Sequence, residues 1–345
     1  MQLKELSRLR QAVVLGATAI LAVGVVGCSS SDDSAGSDSG ATASAAAGSE
    51  KRTFEAQNGA IEIPAEPQSI VACGYAVLPL IQAKANLSAV CEWTREVDNM
   101  DAETKAAYDA LPKVAQDADI STLNYEGVSA ANPDLIIMGV PARAQSMVDM
   151  DKLQSLAPVV FLGPKAPGEW RTLGEQFADA AAVSDNYGEF KQQYDDKAAQ
   201  IAAKYKDSLG KLTFGGVCDT CAGDPGEFYR EFASSYTTNL FDDLGLQFPG
   251  QPADQANVHG EFVSTEQIAA GLGTVDVIVY GVGPDGKVSP ELQALMDSPL
   301  WKSLPAVQAG NVVPVQHALA ATYQTALLAL DSIDEGLSKL PANKQ

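Results

Sequence analysis

Aromatic rings and guanidiniums stand side by side at several points of this chain, and together they suit an oxygen-rich solute. Gly74-Tyr75, Trp93-Thr94-Arg95, Gly139-Val140-Pro141-Ala142-Arg143, Glu227-Phe228-Tyr229-Arg230, Gly281 and His317 each fall where a short apolar run ends. Rings cover organic surface, and guanidiniums meet anionic oxygens in paired hydrogen bonds. Surface ion pairing is the other use open to Arg95 and Arg143, and Arg230 has the further option of facing outward on a helix start. Tyr75 can equally be the opening residue of a helix. Trp93 directly follows a strand, a position that favours lining a cleft over core packing. The candidate ligand-binding set is therefore Tyr75, Trp93, Arg95, Arg143, Tyr229, Arg230 and His317.

Catalytic constellations are missing from the sequence. There is no glycine-rich loop of phosphate-binding spacing, no His-Glu-x-x-His and no Gly-x-Ser-x-Gly elbow. An enzyme is not expected, and neither a resident cofactor nor a metal site is implied. The only histidines are His259 and His317.

Five cysteines divide by context. Lys4, Arg8 and Arg10 precede an apolar run over residues 12 to 26, which is short for a membrane span and fits a secretory signal. Gly27-Cys28 ends that run and resembles the lipobox of bacterial lipoproteins, so Cys28 is the expected lipid-attachment residue. Cys73, Cys91, Cys218 and Cys221 remain, an even set in an oxidising compartment. Spacing alone does not decide their connectivity; strand placement favours Cys73 with Cys91 and Cys218 with Cys221. A redox role for Cys218-Asp-Thr-Cys221 would want a helix N-terminus to acidify the thiol, whereas a turn, Gly223-Asp224-Pro225-Gly226, follows.

The elements that must position these residues read as alternating strands and helices. Residues 29 to 50 are almost wholly Ser, Gly, Ala and Asp, a tether that cannot bury a core. Apolar runs at 69–73, 87–91, 135–138 and 158–162 alternate with helical segments, which predicts a parallel sheet covered on both faces. Phe190, Tyr194, Ala198, Ile201 and Tyr205 recur at helical spacing in a stretch free of Gly and Pro. A helix of some twenty residues spans about 30 Å, enough for a stiff strut between two lobes. A second pattern follows, with strands at 212–218 and 275–280, a helix expected over 231–244, and an edge strand at 311–316 containing Pro314. The division is a signal peptide at 1–27, an anchored tether at 28–53, an α/β lobe at 54–183, a connecting helix at 184–208 and a second α/β lobe at 209–341. A ligand cleft is expected between two lobes with parallel central sheets.

The net charge of −21 disfavours nucleic acid and anionic lipid as binding partners. It also fits a neutral or cationic solute slightly better than a highly anionic one, although a local cleft potential can oppose the net charge.

Several ordered segments make a family visible. Ile63-Pro64 before Ser69-Ile70-Val71, Asn124-Tyr125-Glu126 before Asn132-Pro133-Asp134-Leu135, and Leu156-Ala157-Pro158-Val159-Val160 lie in the first half. Asp243-Leu244-Gly245-Leu246, Ser264-Thr265-Glu266-Gln267-Ile268, and Pro299-Leu300-Trp301 before Gly310-Asn311-Val312-Val313 lie in the second. In order and spacing they resemble the substrate-binding lipoproteins of ABC importers that serve ferric siderophores, haem and cobalamin. The resemblance implies two lobes joined by one long helix and small closing motions. It also implies a ferric siderophore as ligand and an ABC importer permease as partner. Glu126 and Glu266 match positions where the family places one acidic knob per lobe for permease arginines; local helix capping is their other use. Trp301 matches a packing position. A haem receptor would want His or Tyr at iron, and His317 opposite Tyr229 would supply it. Haem or cobalamin binding and a non-transport interaction lipoprotein are the alternatives. The expected setting is a monomer, lipid-anchored at the extracytoplasmic face of the cell membrane.

Overall fold

The computed structural model describes residues 50–343 except 117–118, 222 and 255–258. The expected signal segment, most of the tether and Cys28 lie outside the described residues. No helix among those described is long and apolar enough to cross a membrane.

The first strands, β1 (Lys51–Ala56) and β2 (Gly59–Pro64), form an antiparallel hairpin. The tether expected to reach residue 53 is thus already strand from Lys51. Phe54 and Ile63 bury on its inner side, which a free tether could not sustain. At its turn, Gln57 and Asn58 bond to the backbone around residues 159–163, with Asn58 Nδ2 2.9 Å from the Val159 carbonyl and Asn58 Oδ1 3.0 Å from the Phe161 N–H. These bonds cover a sheet edge that would otherwise be left unpaired.

The first large sheet contains β3 (Ile70–Gly74), β4 (Leu87–Cys91), β5 (Lys113–Ala115), β6 (Leu135–Gly139) and β7 (Val159–Phe161). Their order is β5-β4-β3-β6-β7, all parallel. Both faces are buried, as the continuous apolar runs require. Cys73 and Cys91 are disulfide-bonded across neighbouring β3 and β4, with Cα atoms 4.7 Å apart.

The second large sheet departs from expectation. Its strands are β8 (Phe214–Cys218), β9 (Glu227–Glu231), β10 (Gly260–Ser264), β11 (Val277–Val282) and β12 (Val312–Gln316), in the order β10-β9-β8-β11-β12. β8, β11 and β12 pair in parallel, whereas β9 pairs antiparallel with both of its neighbours, β8 and β10. Residues 227–230, expected in a loop, are strand, and the helix expected over 231–244 shrinks to Asn239–Asp242. Side chains compete with the helix there: Thr238 Oγ1 donates to the Phe232 carbonyl, and the Thr237 N–H donates to Glu231 Oε1 at 3.0 Å. Pro314 lies in edge strand β12, where a missing donor is tolerated.

The helix Ser184–Leu209 joins the two sheets' halves and buries Tyr187, Tyr194, Ala198, Ile201, Tyr205 and Leu209. One continuous core runs through both halves, joining Ile70, Trp93 and Leu135 to Phe214, Val277, Val313 and Leu330. At its centre Tyr323 contacts Trp170 at 5.0 Å and both Tyr187 and Tyr194 at 5.4 Å between ring centroids. Arg171 stacks on Trp170, donates to Asn239 Oδ1 at 2.8 Å and pairs with Asp243, tying the first half to the second.

A shared core predicts joint unfolding. Calorimetry should show a single transition with agreeing calorimetric and van't Hoff enthalpies. Leu330→Ala, in the fully buried face of the last long helix, should lower stability by about 2–5 kcal/mol. Two separable transitions, with Leu330→Ala moving only one, would show that the halves fold independently.

Candidate solute-binding cleft

Chain direction builds one wall of the cleft. The chain leaves β3 toward β4 on one side and leaves β6 toward β7 on the other, although β3 and β6 are neighbours. A crevice opens at such a divergence beyond the strands' C-terminal ends. Gly74 makes the turn with φ of +63°, and a Cβ there would strike the Gly139 carbonyl, so glycine is required twice over. Tyr75 follows it, and Arg143 lies in the short turn Ala142–Met147.

The cleft has a volume of about 600 Å³. Arg95, Arg143 and Lys165 line it from the first half, facing Tyr229, Tyr236, His259 and Phe262 of the second. No carboxylate is found among the described residues that line it. The surroundings of a chain with net charge −21 therefore become locally cationic. Two further recesses adjoin: one of about 210 Å³ that shares Arg95, Thr220 and Leu319, and one of about 700 Å³ that shares Thr220, Cys221 and Tyr229.

Arg95 holds the floor. Its Nη1 donates to Tyr75 Oη, and its guanidinium lies 5.2 Å from the Tyr75 ring centre and 5.1 Å from that of Tyr236. The side chain is thus flanked by one ring from each half, and its Nε is buried without a partner among the described residues. Glu96, fully buried beside it, accepts from the Ala321 N–H at 3.0 Å and from Trp93 Nε1 at 3.3 Å. Burial pushes the Glu96 carboxyl up, against the opposing pull of Arg95. This contact pins the Arg95 turn to the segment that precedes the last long helix.

Four sequence expectations need correction. Tyr75 is not among the side chains that line the cleft; it lies against Arg95, which does. Trp93 does not line the cleft: the turn Thr94–Asn99 folds it inward, where it packs edge-on against Tyr75 and supports that ring from behind. Arg230 does not line it either. Successive strand residues face opposite sides, so Arg230 turns away from Tyr229, pairs with Glu261 at 3.5 Å and stacks on Phe232. His317 and Tyr229 do not form a pair. His317 lines the 210 Å³ recess, with φ of 58° and Nδ1 unpartnered among the described residues, and burial lowers its pKa. Tyr229 Oη instead lies 3.0 Å from His259 Nδ1.

Lys165, Tyr236, His259 and Phe262 were not assigned to the cleft from the sequence. Lys165 follows β7 and obeys the strand-end rule that located Arg143. The others come from the segment read as helix and from antiparallel β10, for which strand-helix alternation carries no signal.

Cys218 and Cys221 are disulfide-bonded at the start of the β8–β9 loop, with Cα atoms 5.5 Å apart. Glu126 and Glu266 are both exposed, each in the first turn of a short helix capped by Asn124 and Ser264 respectively. Neither carboxylate has a hydrogen bond or ion pair among the described residues. Trp301 is buried against Tyr280, with ring centroids 6.4 Å apart.

A family model described as periplasmic binding protein matches residues 70–317. The iron(3+)-hydroxamate-binding protein YxeB of Bacillus subtilis (strain 168) is 27% identical over 273 residues, covering 78% of this chain and 79% of that protein. The iron(3+)-hydroxamate-binding protein FhuD of the same organism is 26% identical over 311 residues, covering 85% and 86%. The solved siderophore periplasmic binding protein from the fuscachelin gene cluster of Thermobifida fusca superposes with a TM-score of 0.65 and 28% identity, over 81% of this chain and 99% of that one.

Behind the cleft, Glu231 is 2% exposed and burial raises its pKa from an ordinary 4.5 to about 7. Between those values the folded protein keeps a proton that the unfolded chain has released, so this group costs stability as pH rises from 4.5 to 7. The loss should be on the order of 3 kcal/mol. Urea unfolding from pH 5 to 7.5 should show the wild type declining relative to Glu231→Gln; parallel profiles would contradict the raised pKa.

Proposed function

The chain belongs to the periplasmic binding protein family, and we propose that it is an extracytoplasmic receptor which captures a ferric siderophore and delivers it to an ABC permease. The observation that carries this reading is the cleft itself. Three cations and four ring-bearing side chains surround about 600 Å³, with no carboxylate among the described lining residues, on a protein whose net charge is −21. That combination opposes the rest of the surface and suits a bulky chelate that presents organic faces and oxygen-rich iron coordination. The hydroxamate-binding relatives and the siderophore-binding structural neighbour support the same ligand class. The protein acts as a binder, with iron as cargo and no catalytic step.

The other parts of the reading concern delivery. Lipid attachment at Cys28 would hold a monomeric receptor at the outer face of the cell membrane, and the Ser- and Gly-rich segment would let it search for its permease. A relative named as a probable siderophore-binding lipoprotein, YfiY of Bacillus subtilis, supports the anchor. Glu126 and Glu266, exposed and free of ion pairs among the described residues, would meet permease arginines.

Three experiments test this function. Trp93 packs against the Tyr75 ring that holds Arg95, so intrinsic fluorescence should quench with a cognate ferric chelate. A panel of ferric hydroxamates, catecholates, citrate, haemin and cobalamin giving no saturable response would refute the receptor. Arg95→Ala should weaken an anionic chelate by roughly tenfold or more. Arg230→Ala should leave affinity within about twofold, because its side chain turns away from the cleft onto Glu261 and Phe232. In cells, Glu126→Lys with Glu266→Lys should spare binding and impair uptake; normal uptake would remove the docking role.

A further inference from the structure

Behind the second wall of the cleft lies a buried acid that solute capture, as described so far, leaves without a role. Glu231 sits in β9 opposite Gly216 of β8 and Gly260 of β10. Neither neighbour bears a side chain beside it. A Cβ at Gly216 would collide with the Thr238 methyl and crowd the Glu231 side chain, and one at Gly260 would strike the Tyr229 ring. The two glycines therefore clear the space that Glu231 and Tyr229 occupy.

The carboxylate connects to the cleft in two short steps. Glu231 Oε1 accepts from the Thr237 N–H at 3.0 Å and lies 3.3 Å from Ser235 Oγ. Ser235 Oγ lies 3.5 Å from His259 Nδ1, which also meets Tyr229 Oη at 3.0 Å. Glu231 Oε2 is buried with no partner among the described residues. His259 lines the cleft, and because Nδ1 faces Tyr229 and Ser235, Nε2 is the nitrogen left for a solute.

We propose that His259 receives an anionic oxygen of the bound chelate as an imidazolium, and that Glu231, acting through Ser235, supplies its proton and remains as its buried counter-charge. The proposal rests on the cleft being the solute site. Burial lowers the His259 pKa and raises that of Glu231, so the empty cleft favours a neutral imidazole above a protonated carboxyl. Arg95, Arg143 and Lys165 line the same cleft and also disfavour a further cation there while it is empty. Among the described residues His259 packs against the rings of Tyr229 and Tyr236, and the Glu231 carboxyl takes hydrogen bonds from Ser235, Thr237 and the Tyr236 backbone.

An anionic oxygen at Nε2 reverses the balance. Ser235 passes its hydroxyl proton to Nδ1 and takes the carboxyl proton of Glu231. One O–H bond breaks at each oxygen donor, an O–H forms again at Ser235 and an N–H forms at His259. The products are an imidazolium, with Nδ1–H held by the Tyr229 and Ser235 oxygens, and a carboxylate. Below pH 7 the proton moves internally; above pH 7 Glu231 is already ionised and one proton enters from solvent. Binding of an anionic chelate thus takes up protons above neutrality, whereas a neutral chelate has little effect.

With two histidines in the whole chain, ring ¹⁵N spectra can resolve both. In ligand-free protein, Glu231→Gln and Ser235→Ala should each shift the His259 titration midpoint and leave His317 unmoved. A His259 titration identical in wild type and both variants overturns the proposal without reference to any ligand. Titration calorimetry at pH 8, in phosphate and in Tris, then compares a ferric tris-catecholate with a neutral ferric tris-hydroxamate. The catecholate should take up about one proton in wild type and about none in His259→Gln. Glu231→Gln should weaken the catecholate by roughly tenfold and the hydroxamate little, as expected for loss of about one pKa unit of support. Catecholate binding without proton uptake overturns the proposal. Failure of both chelates to bind counts against the siderophore reading, and the ligand-free spectra still decide the link between Glu231 and His259.

Discussion

The two halves of this protein are held by one uninterrupted core, and everything at the cleft depends on that. Tyr323, Trp170, Tyr187 and Tyr194 meet where the connecting helix, the end of the first half and the last long helix converge. Arg171 lies across the same junction and bonds to Asn239 and Asp243 of the second half. Aromatic packing of this kind is lost steeply with separation, so the halves cannot part by much without exposing it. The spacing of the cleft walls is consequently set by packing, before any solute arrives.

That rigidity lets an acidic protein hold a cationic cleft. Arg95 reaches between Tyr75 and Tyr236, rings from opposite halves, and could not keep both contacts if the walls moved apart. Glu96 lies directly beside it in the chain, yet its carboxyl is turned into the core and spent on the Ala321 N–H and Trp93. The acid next to the cationic floor is removed from the cleft and made into an inter-half contact. Arg143 and Lys165 then need only project from strand-end loops, where solvent screens their repulsion.

The second wall is chemically different from the first. The first half offers cations on parallel strand ends, while the second offers rings and an imidazole from an antiparallel ribbon. The β8–β9 loop carries Thr220 and Cys221 into the cleft, and the Cys218–Cys221 bond closes that loop at its root. Gly216 and Gly260 allow Glu231 and Tyr229 to pack where side chains on neighbouring strands would normally lie. Such a row is costly for sheet stability, and the buried Glu231 adds to that cost. Both costs fall around one short strand, β9, with the glycines on its neighbours β8 and β10.

Much of this was legible from residue order alone. Apolar runs with helical spacers determined the first sheet, the long helical period from Phe190 to Tyr205 determined the connecting helix, and strand-end position picked out Arg95 and Arg143. These features are local: period, length and the residue that follows a strand are properties of neighbouring positions. The antiparallel ribbon was not legible, because residues 227–231 make a strand only by pairing with β8 and β10, and residues 232–238 lose their helix to Ser and Thr side chains. Trp93, Arg230 and His317 were assigned to the cleft on proximity to strand ends, but a single turn or the two-residue alternation of a strand sends each elsewhere. His259 joins Tyr229 from thirty positions away. Sequence determined which segments could reach a cleft; only tertiary packing decided which side chains enter it, since burial and pairing are settled between segments that no local pattern connects.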